Sequence, residues 1–507
     1  MNDVKNENLY ELLSSRFPVD PAAPCLILPD GDEVSYAGLE REAARYANLL
    51  AVLGVRPGDR VAVQVEKTPQ AIFLYLGCLR AGAVFLPMNT AYQRHEIGHF
   101  LGDATPRLFV CRPEIRGLAD ELAAKAGVAH VLELDSNGRG SLAEAAATQA
   151  DFFATIARKA DDLAVILYTS GTTGRSKGAM LSHGNLSANA RVLHRYWGFR
   201  PGDVLLHMLP IFHAHGLLVA IHCALMNGSP IFFEPRFDAG RALALLPRAT
   251  VFMGVPTYYV RLLAEDAFDR GLCANMRLFI SGSAPLLKET FDDFRTRSGH
   301  TILERYGMTE GGMFTSNPYA GERRGGTVGF PLPGTEIRIV EENDAPVTGG
   351  GVGQLLVKGP QVFVGYWRMP EKTAEEFTGD GFFRTGDMGQ WDSDGYITII
   401  GRSKDLVITG GLNVYPKEIE EMIDGLPGVL ESAVFGLSDP DFGEALTAVV
   451  VRRKNAAGGD VTEAGIVAAL RGNLANFKIP KQVFLVEDLP RNAMGKVQKN
   501  VLRQQFG

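Results

Sequence analysis

Apolar positions recur along this chain in two rhythms that alternate. Over 36–53, Leu39, Ala43, Tyr46 and Leu50 return at spacings of four and three, which predicts a helix with one buried face. The apolar runs over 60–65 and 83–87 read as buried strands, and 70–81 and 92–103 as helices. Strands alternating with helices imply a parallel α/β layer. Ahead of them, Leu9, Leu12 and Leu13 predict a short helix, 24–28 an extended segment and Asp30-Gly31 a hairpin turn.

The pattern continues with strands over 163–168 and 179–181, a helix over 184–197, and strands over 229–234, 250–255 and 277–281. Ile302 and Leu303 form a strand lead-in, and Pro285 is placed to start a helix. The stretch 325–389 is rich in glycine and short strands such as 336–340 and 353–358, which predicts a β-rich subdomain. After Lys404 the character changes: a strand over 406–409, a turn at 410–413, a helix from Pro416, strands over 429–435 and 445–451, a helix over 462–474 and a last strand over 482–486. The expected fold is α/β, with a large N-terminal domain (1–403) of layered α/β subdomains plus the β-rich subdomain. A small mobile α+β C-terminal domain (404–507) follows.

Composition narrows this little but usefully. A chain of 507 residues is too long for one core. Its 46 % hydrophobic and 21 % charged residues are those of an ordinary globular protein. A net charge of −7 argues against a general nucleic-acid surface. Five scattered cysteines without a C-x-x-C favour a reducing compartment and no structural zinc. No secretory signal is legible, and the longest apolar run, 216–226, is short for a membrane span and contains His222. A cytoplasmic location is therefore expected, with neither nucleic acid nor membrane as partner.

The chemistry concentrates between the 163–168 and 179–181 strands, in Tyr168-Thr-Ser-Gly-Thr-Thr-Gly-Arg-Ser-Lys177-Gly178. Glycines admit close approach of backbone N–H groups to an anion, hydroxyls add donors, and Arg175 and Lys177 supply the opposite charge. The spacing fits neither the Walker loop nor the dinucleotide turn, and a polar surface hairpin is the plainer alternative. Three histidines cluster in Leu205-Leu-His-Met-Leu-Pro-Ile-Phe-His-Ala-His-Gly216. His-x-His can be part of a zinc site, but no third ligand is evident nearby, and packed histidines are commoner. Arg236 suits a carboxylate, or simply pairs with Asp238. Ser281-Gly282-Ser283-Ala284 is a strand-to-helix turn of the kind that holds ligands in parallel sheets. In Glu304-Arg-Tyr-Gly-Met-Thr-Glu310, Tyr306 offers a flat face for a purine and Glu310 a hard oxygen for Mg²⁺.

These strings, with Arg384-Thr-Gly-Asp387, the 401–413 segment and Pro490-Arg-Asn-Ala-Met-Gly-Lys496, stand in the order found in the adenylate-forming superfamily, which the chain resembles over about 36–498. That superfamily includes acyl-CoA synthetases, peptide-synthetase adenylation domains and firefly-type luciferases. Within it the chain looks most like malonyl-CoA and methylmalonyl-CoA synthetases. The resemblance implies that a small dicarboxylic acid is joined to CoA through an acyl-adenylate, with ATP as co-substrate and AMP and pyrophosphate released. A ligase for a medium-chain or aryl monocarboxylate is the alternative.

Roles follow from the same resemblance. Thr169, Ser170, Gly171, Thr172, Thr173, Gly174 and Lys177 would hold phosphates, with Thr173, Glu310 and Lys496 catalytic. Gly282, Ser283, Ala284, Glu304, Arg305, Tyr306, Gly307 and Thr309 would form the nucleotide site. Asp387 would hold ribose, Arg402 ribose or phosphate, and Glu310 the Mg²⁺. His213, Arg236 and Met308 would meet the acid, with Arg236 and His213 as charge partners for its second carboxylate. Lys404 would be the hinge, and Gly410 and Gly411 would guide CoA. A lysine acyltransferase or deacylase acting on Lys496 is the one protein partner suggested.

Overall fold

The computed structural model describes residues 6–169, 176–409, 412–439, 443–453, 461–471, 473–474, 476–492 and 495–507. The helix expected over 36–53 forms as Tyr36–Val52, where the Ser35 hydroxyl accepts from the Gly38 amide. Leu39, Ala43, Tyr46 and Leu50 are each at most 1 % exposed, so the 3.6-residue rhythm does mark the buried face. Full burial of each leucine contributes about 1.5–3 kcal/mol. This face packs on the helix Pro69–Ala81 so closely that a Cβ on Gly77 would lie 2.8 Å from Tyr46 Cβ.

Among the described residues the strands gather into sheets of nine, seven, four and five strands. In the largest, Leu205–His207, Val251–Gly254, Leu278–Ser281 and Leu303–Met308 run parallel and adjacent. Their C-terminal ends therefore open on one edge, the place where parallel sheets bind ligands. The seven-stranded sheet carries the antiparallel hairpin Leu163–Thr169 and Lys177–Ser182. The β-rich region forms the four-stranded antiparallel sheet, in which Asp387 pairs with Arg402. From Val407 onward the strands make a sheet of their own.

Several expectations change. The strand at 302–303 extends through Met308, because the return strand Gly312–Ser316 pairs with it. The helix expected from Pro285 begins at Lys288: Ser283 has φ +71°, and the turn continues to an extended Leu287. Unassigned sequence between 104 and 160 contains the strands Leu108–Cys111 and His130–Glu133 around the helix Arg116–Ala126. That helix buries only Ala119, Leu122 and Ala123, too few for a clear apolar stripe. The helix over 462–474 is shorter, Glu463–Arg471. The apolar run at 216–226 is a π-helical turn, His215–Ile221, continuing as the helix His222–Asn227, and is buried throughout. No helix among the described residues is long and apolar enough to cross a membrane.

Candidate active site

The hairpin that carries the glycine-hydroxyl loop brings its two ends together, with Thr169 opposite Lys177. The Thr169 hydroxyl donates to the Lys177 carbonyl at 3.5 Å. Ser170, Gly171, Thr172, Thr173, Gly174 and Arg175 lie outside the described residues, so the structure gives the base of this loop. Lys177 is 8 % exposed, its ammonium 3.4 Å from Glu376 Oε1 and 4.6 Å above the Tyr366 ring. The Tyr366 hydroxyl donates to Glu310 Oε1 at 3.1 Å. Burial raises the Glu310 carboxyl above the usual carboxylate range, while the Tyr366 bond and the nearby Arg402 and Lys177 charges oppose this. Tyr366 and Glu376 carry no motif spacing that sequence reading could use. Antiparallel pairing of Tyr366 with Ala179 delivers them.

A second group adjoins the first. The Tyr306 hydroxyl donates to Asp387 Oδ2 at 2.5 Å, and Arg402 Nε lies 2.8 Å from Asp387 Oδ1. The Asp387 amide donates to Thr385 Oγ1 at 3.0 Å, and that hydroxyl donates to the Leu355 carbonyl at 2.8 Å. Asp387 holds the Arg402 guanidinium above its ordinary pKa. Lys177, Glu310, Tyr306, Asp387 and Arg402 thus form one electrostatic network from four distant stretches of sequence.

Glu304 is buried beside it, with Oε1 accepting from the Gly326 amide at 3.0 Å. Burial pushes its carboxyl up to about 8. The folded chain therefore holds a proton here that the unfolded chain has released, and stability falls as pH rises. Between about pH 4.5 and 8, wild-type stability should decline relative to Glu304→Gln, a loss readable as a diverging pair of denaturation midpoints. Gly307 sits where a Cβ would lie 1.9 Å from the Gly312 carbonyl oxygen, so the tight hairpin needs glycine. Met308 and Thr309 are half-buried in the same turn.

Arg305 departs from its neighbours. Strand alternation turns it to the opposite face from Glu304 and Tyr306. The pairing of Ser281 with Glu304 brings Gly282 alongside, and a Cβ on Gly282 would lie 2.4 Å from the guanidinium carbon. Arg305 is 4 % exposed, and burial lowers its pKa to about 10. Its charge reaches His213 and His215, whose imidazoles burial chiefly depresses, His213 to about 4. Ser283 Oγ is 3.3 Å from His215 Nδ1, while Ala284 continues the turn. His207 is occupied by packing, with Nδ1 2.6 Å from the Lys67 ammonium and Nε2 3.0 Å from the Gly216 carbonyl. Among the described residues no three His, Cys, Asp or Glu side chains are grouped to hold a metal. Arg236, expected to face a buried carboxylate, is instead exposed at the end of its strand and offers no desolvated charge.

The remaining candidates lie in the C-terminal part. Lys404 is in the short turn Ser403–Asp405, while Gly410 and Gly411 lie outside the described residues. Lys496 is exposed on a turn closed by the Asn492 amide donating to its carbonyl at 2.9 Å and its own amide donating to Asn492 Oδ1 at 3.0 Å. Arg491 braces this turn by donating to the Gly495 carbonyl at 2.6 Å and pairing with Glu431. The turn meets the N-terminal part, since a Cβ on Gly495 would lie 3.1 Å from Thr257 Oγ1.

Comparison with known proteins accords with this arrangement. Residues 14–367 match the AMP-binding enzyme family, and residues 418–496 match the AMP-binding enzyme C-terminal domain. The chain is 35 % identical to a malonate–CoA ligase of Arabidopsis thaliana, covering 94 % of this chain and 85 % of that one. It is 54 % identical to MatB from Rhodopseudomonas palustris, covering 99 % of both chains, with a TM-score of 0.96 to the ATP-bound crystal structure. The apo crystal structure of the same protein, again at 54 % identity, gives 0.85. With both family domains matched in order across a fold that assembles the corresponding motifs, the chain belongs to the AMP-binding enzyme family.

Proposed function

We propose that this enzyme ligates malonate, and also methylmalonate, to CoA in two half-reactions. In the first, a carboxylate oxygen attacks the α-phosphorus of ATP to give an acyl-adenylate and pyrophosphate. In the second, the CoA thiol attacks the mixed anhydride and AMP departs. The observation that carries the reaction type is the single network of Lys177, Glu310, Tyr306, Asp387 and Arg402. The likeness to malonate–CoA ligase and MatB along nearly the whole chain supports the acid.

Adenylation concentrates negative charge on phosphoryl oxygens, so fixed cations and donors lower its barrier. Lys177, held against Tyr366 and Glu376, meets the β- and γ-phosphates at the base of the loop containing Ser170 to Gly174. Asp387 accepts from ribose hydroxyls, with Arg402 beside it. Tyr306 and the Gly282–Ala284 turn flank adenine. Lys496 neutralises charge between the α-phosphate and the attacking carboxylate.

Glu310 fits Mg²⁺: its carboxylate is buried, a hard oxygen donor, and engaged on one oxygen by Tyr366. Mg²⁺ takes few protein ligands and completes its shell with phosphate and water. The ion would neutralise phosphate charge.

The C-terminal part then rotates about Lys404, removing Lys496 and bringing the Gly410-Gly411 turn to CoA. The boundary of the two bodies is accordingly 403/404. The higher TM-score to the ATP-bound than to the apo relative, at equal identity and coverage, supports reading the present arrangement as the adenylation state. Contact of the Lys496 turn with Thr257 agrees.

The test is AMP release with ATP, Mg²⁺ and CoA across malonate, methylmalonate, succinate, acetate, octanoate and benzoate. Malonate and methylmalonate should have the highest kcat/KM. A preference for octanoate or benzoate would discard the substrate assignment and leave the reaction type standing.

A further inference from the structure

The two borders of the phosphate-holding loop rest on one helix, Arg94–Ala104, that contributes nothing to the nucleotide network. Spacings of four and three place His99 and Phe100 beside Asp103 on its surface. On the entry side of the loop, the Tyr168 hydroxyl donates to Asp103 Oδ2, and the centroids of the Tyr168 and Phe100 rings are 4.3 Å apart. On the exit side, His99 Nε2 is 3.4 Å from the Ser176 carbonyl oxygen. Thr169 alone separates Tyr168 from the stretch 170–175, and Ser176 follows that stretch directly.

The same helix end holds a second support of the site. Trp367 Nε1 donates to the Asp103 carbonyl at 3.1 Å, and the Trp367 amide donates to the Gly178 carbonyl at 2.8 Å. Trp367 follows Tyr366, whose ring faces the Lys177 ammonium. Gly178 stands opposite Tyr168 in the hairpin, and a Cβ there would lie 3.3 Å from both Tyr168 Cζ and Trp367 Cβ. Asp103 is thus tied by its side chain to one strand of the hairpin and by its backbone to the segment that braces the other. Arg60 secures this helix end: its Nε donates to the Ala104 carbonyl at 2.7 Å and its Nη2 to the Thr105 carbonyl at 2.9 Å. Burial, followed by the Asp103 carboxylate, raises the Tyr168 hydroxyl above the usual phenol range, so it stays a donor, while Arg368 and Arg60 oppose the shift. A phenol donating to a carboxylate makes a charge-assisted bond, stronger than a neutral one.

We propose that Asp103 is a positioning residue for ATP, anchoring the phosphate-holding loop through the Tyr168 hydroxyl. This rests on the reading of the enzyme as an acyl-adenylate-forming ligase. Glycine loses more conformational freedom on ordering than any other residue, so holding phosphates through a glycine-rich stretch costs ordering free energy. Fixing the borders of the stretch on a rigid helix lowers that cost and keeps its donors aimed as charge develops on the phosphoryl oxygens. Asp103 acts through Tyr168 rather than on a reactant. Only the first half-reaction contains the β- and γ-phosphates, because pyrophosphate has left before CoA attacks. The anchor therefore serves adenylation alone.

Tyr168→Phe removes the hydroxyl and keeps the ring that packs on Phe100. It should raise KM for ATP, and KM for pyrophosphate in the exchange reaction, about ten-fold, the usual scale for a lost charge-assisted bond. KM for malonate should stay at the wild-type value, as should the rate of thioester formation from preformed malonyl-adenylate and CoA. Asp103→Asn keeps an acceptor for the hydroxyl but loses its charge, and should show a smaller rise in the same two constants. It decides the question by itself if Tyr168→Phe fails to fold. The double variant should match Tyr168→Phe, since both changes act on one bond. Additive losses overturn the inference, as do equal losses in the two half-reactions, which would make the contact structural only. A wild type that releases no AMP with any acid of the panel overturns the reading of the reaction, and the inference with it. A wild type that releases AMP while both variants keep its KM for ATP overturns the inference alone.

Discussion

Lys496→Ala should lower the rate of acyl-adenylate formation by about 10²–10³-fold, the usual cost of removing one fixed group that stabilises transition-state charge. The Asn492 amide bonds the Lys496 carbonyl, the Lys496 amide bonds Asn492 Oδ1 and Arg491 bonds the Gly495 carbonyl; none of these three bonds uses the lysine ammonium. Thioester formation from preformed malonyl-adenylate and CoA should proceed at the wild-type rate, since the proposed rotation withdraws Lys496 before that step. Pyrophosphate exchange and single-turnover thioester formation read the two halves separately. Loss of both would remove the division of labour between the two faces of the C-terminal part. Lys496→Gln should behave like Lys496→Ala, because either removes the charge; acylation of this lysine would do the same.

Asp387→Ala should be nearly as severe, by a different route. Asp387 accepts from the Tyr306 hydroxyl and pairs with Arg402 Nε, and the carboxylate is 4 % exposed. Truncating it strands both partners. The stability cost should be about 2–3 kcal/mol, below the range for a fully buried pair because the Arg402 side chain is 31 % exposed. If the carboxylate also accepts from ribose, KM for ATP should rise about 10²-fold, as expected for lost charge-assisted hydrogen bonds. Denaturation and ATP kinetics separate the effects: a lowered melting temperature with unchanged ATP KM would leave Asp387 structural only.

The site was legible unevenly. Lys177, Glu310, Tyr306, Asp387 and Arg402 sit in motifs whose order carries the family resemblance, and the fold brings them into one network. Tyr366 and Glu376 were invisible because their roles depend on pairing with a strand nearly two hundred residues away. Arg236 looked like the carboxylate partner because its residue type was right, but exposure is not written in residue type. Arg305 stands inside the same motif as Tyr306, yet the two face opposite sides of one strand. Its strand extends further than the apolar pattern suggested, and alternation along that strand turns it away from Tyr306.

By itself the sequence determined the α/β class, most of the helices and strands, the change in character after Lys404 and the family. These depend on local backbone preference, on the period of apolar residues and on short strings with their own chemistry. Tertiary structure alone decided which faces meet: Gly282 against Arg305, Tyr366 against Glu310, and the Lys496 turn against Thr257. Those contacts join residues tens to hundreds of positions apart. Strand register and burial choose them, and a one-residue change in where a strand ends reverses the side on which a charge is buried.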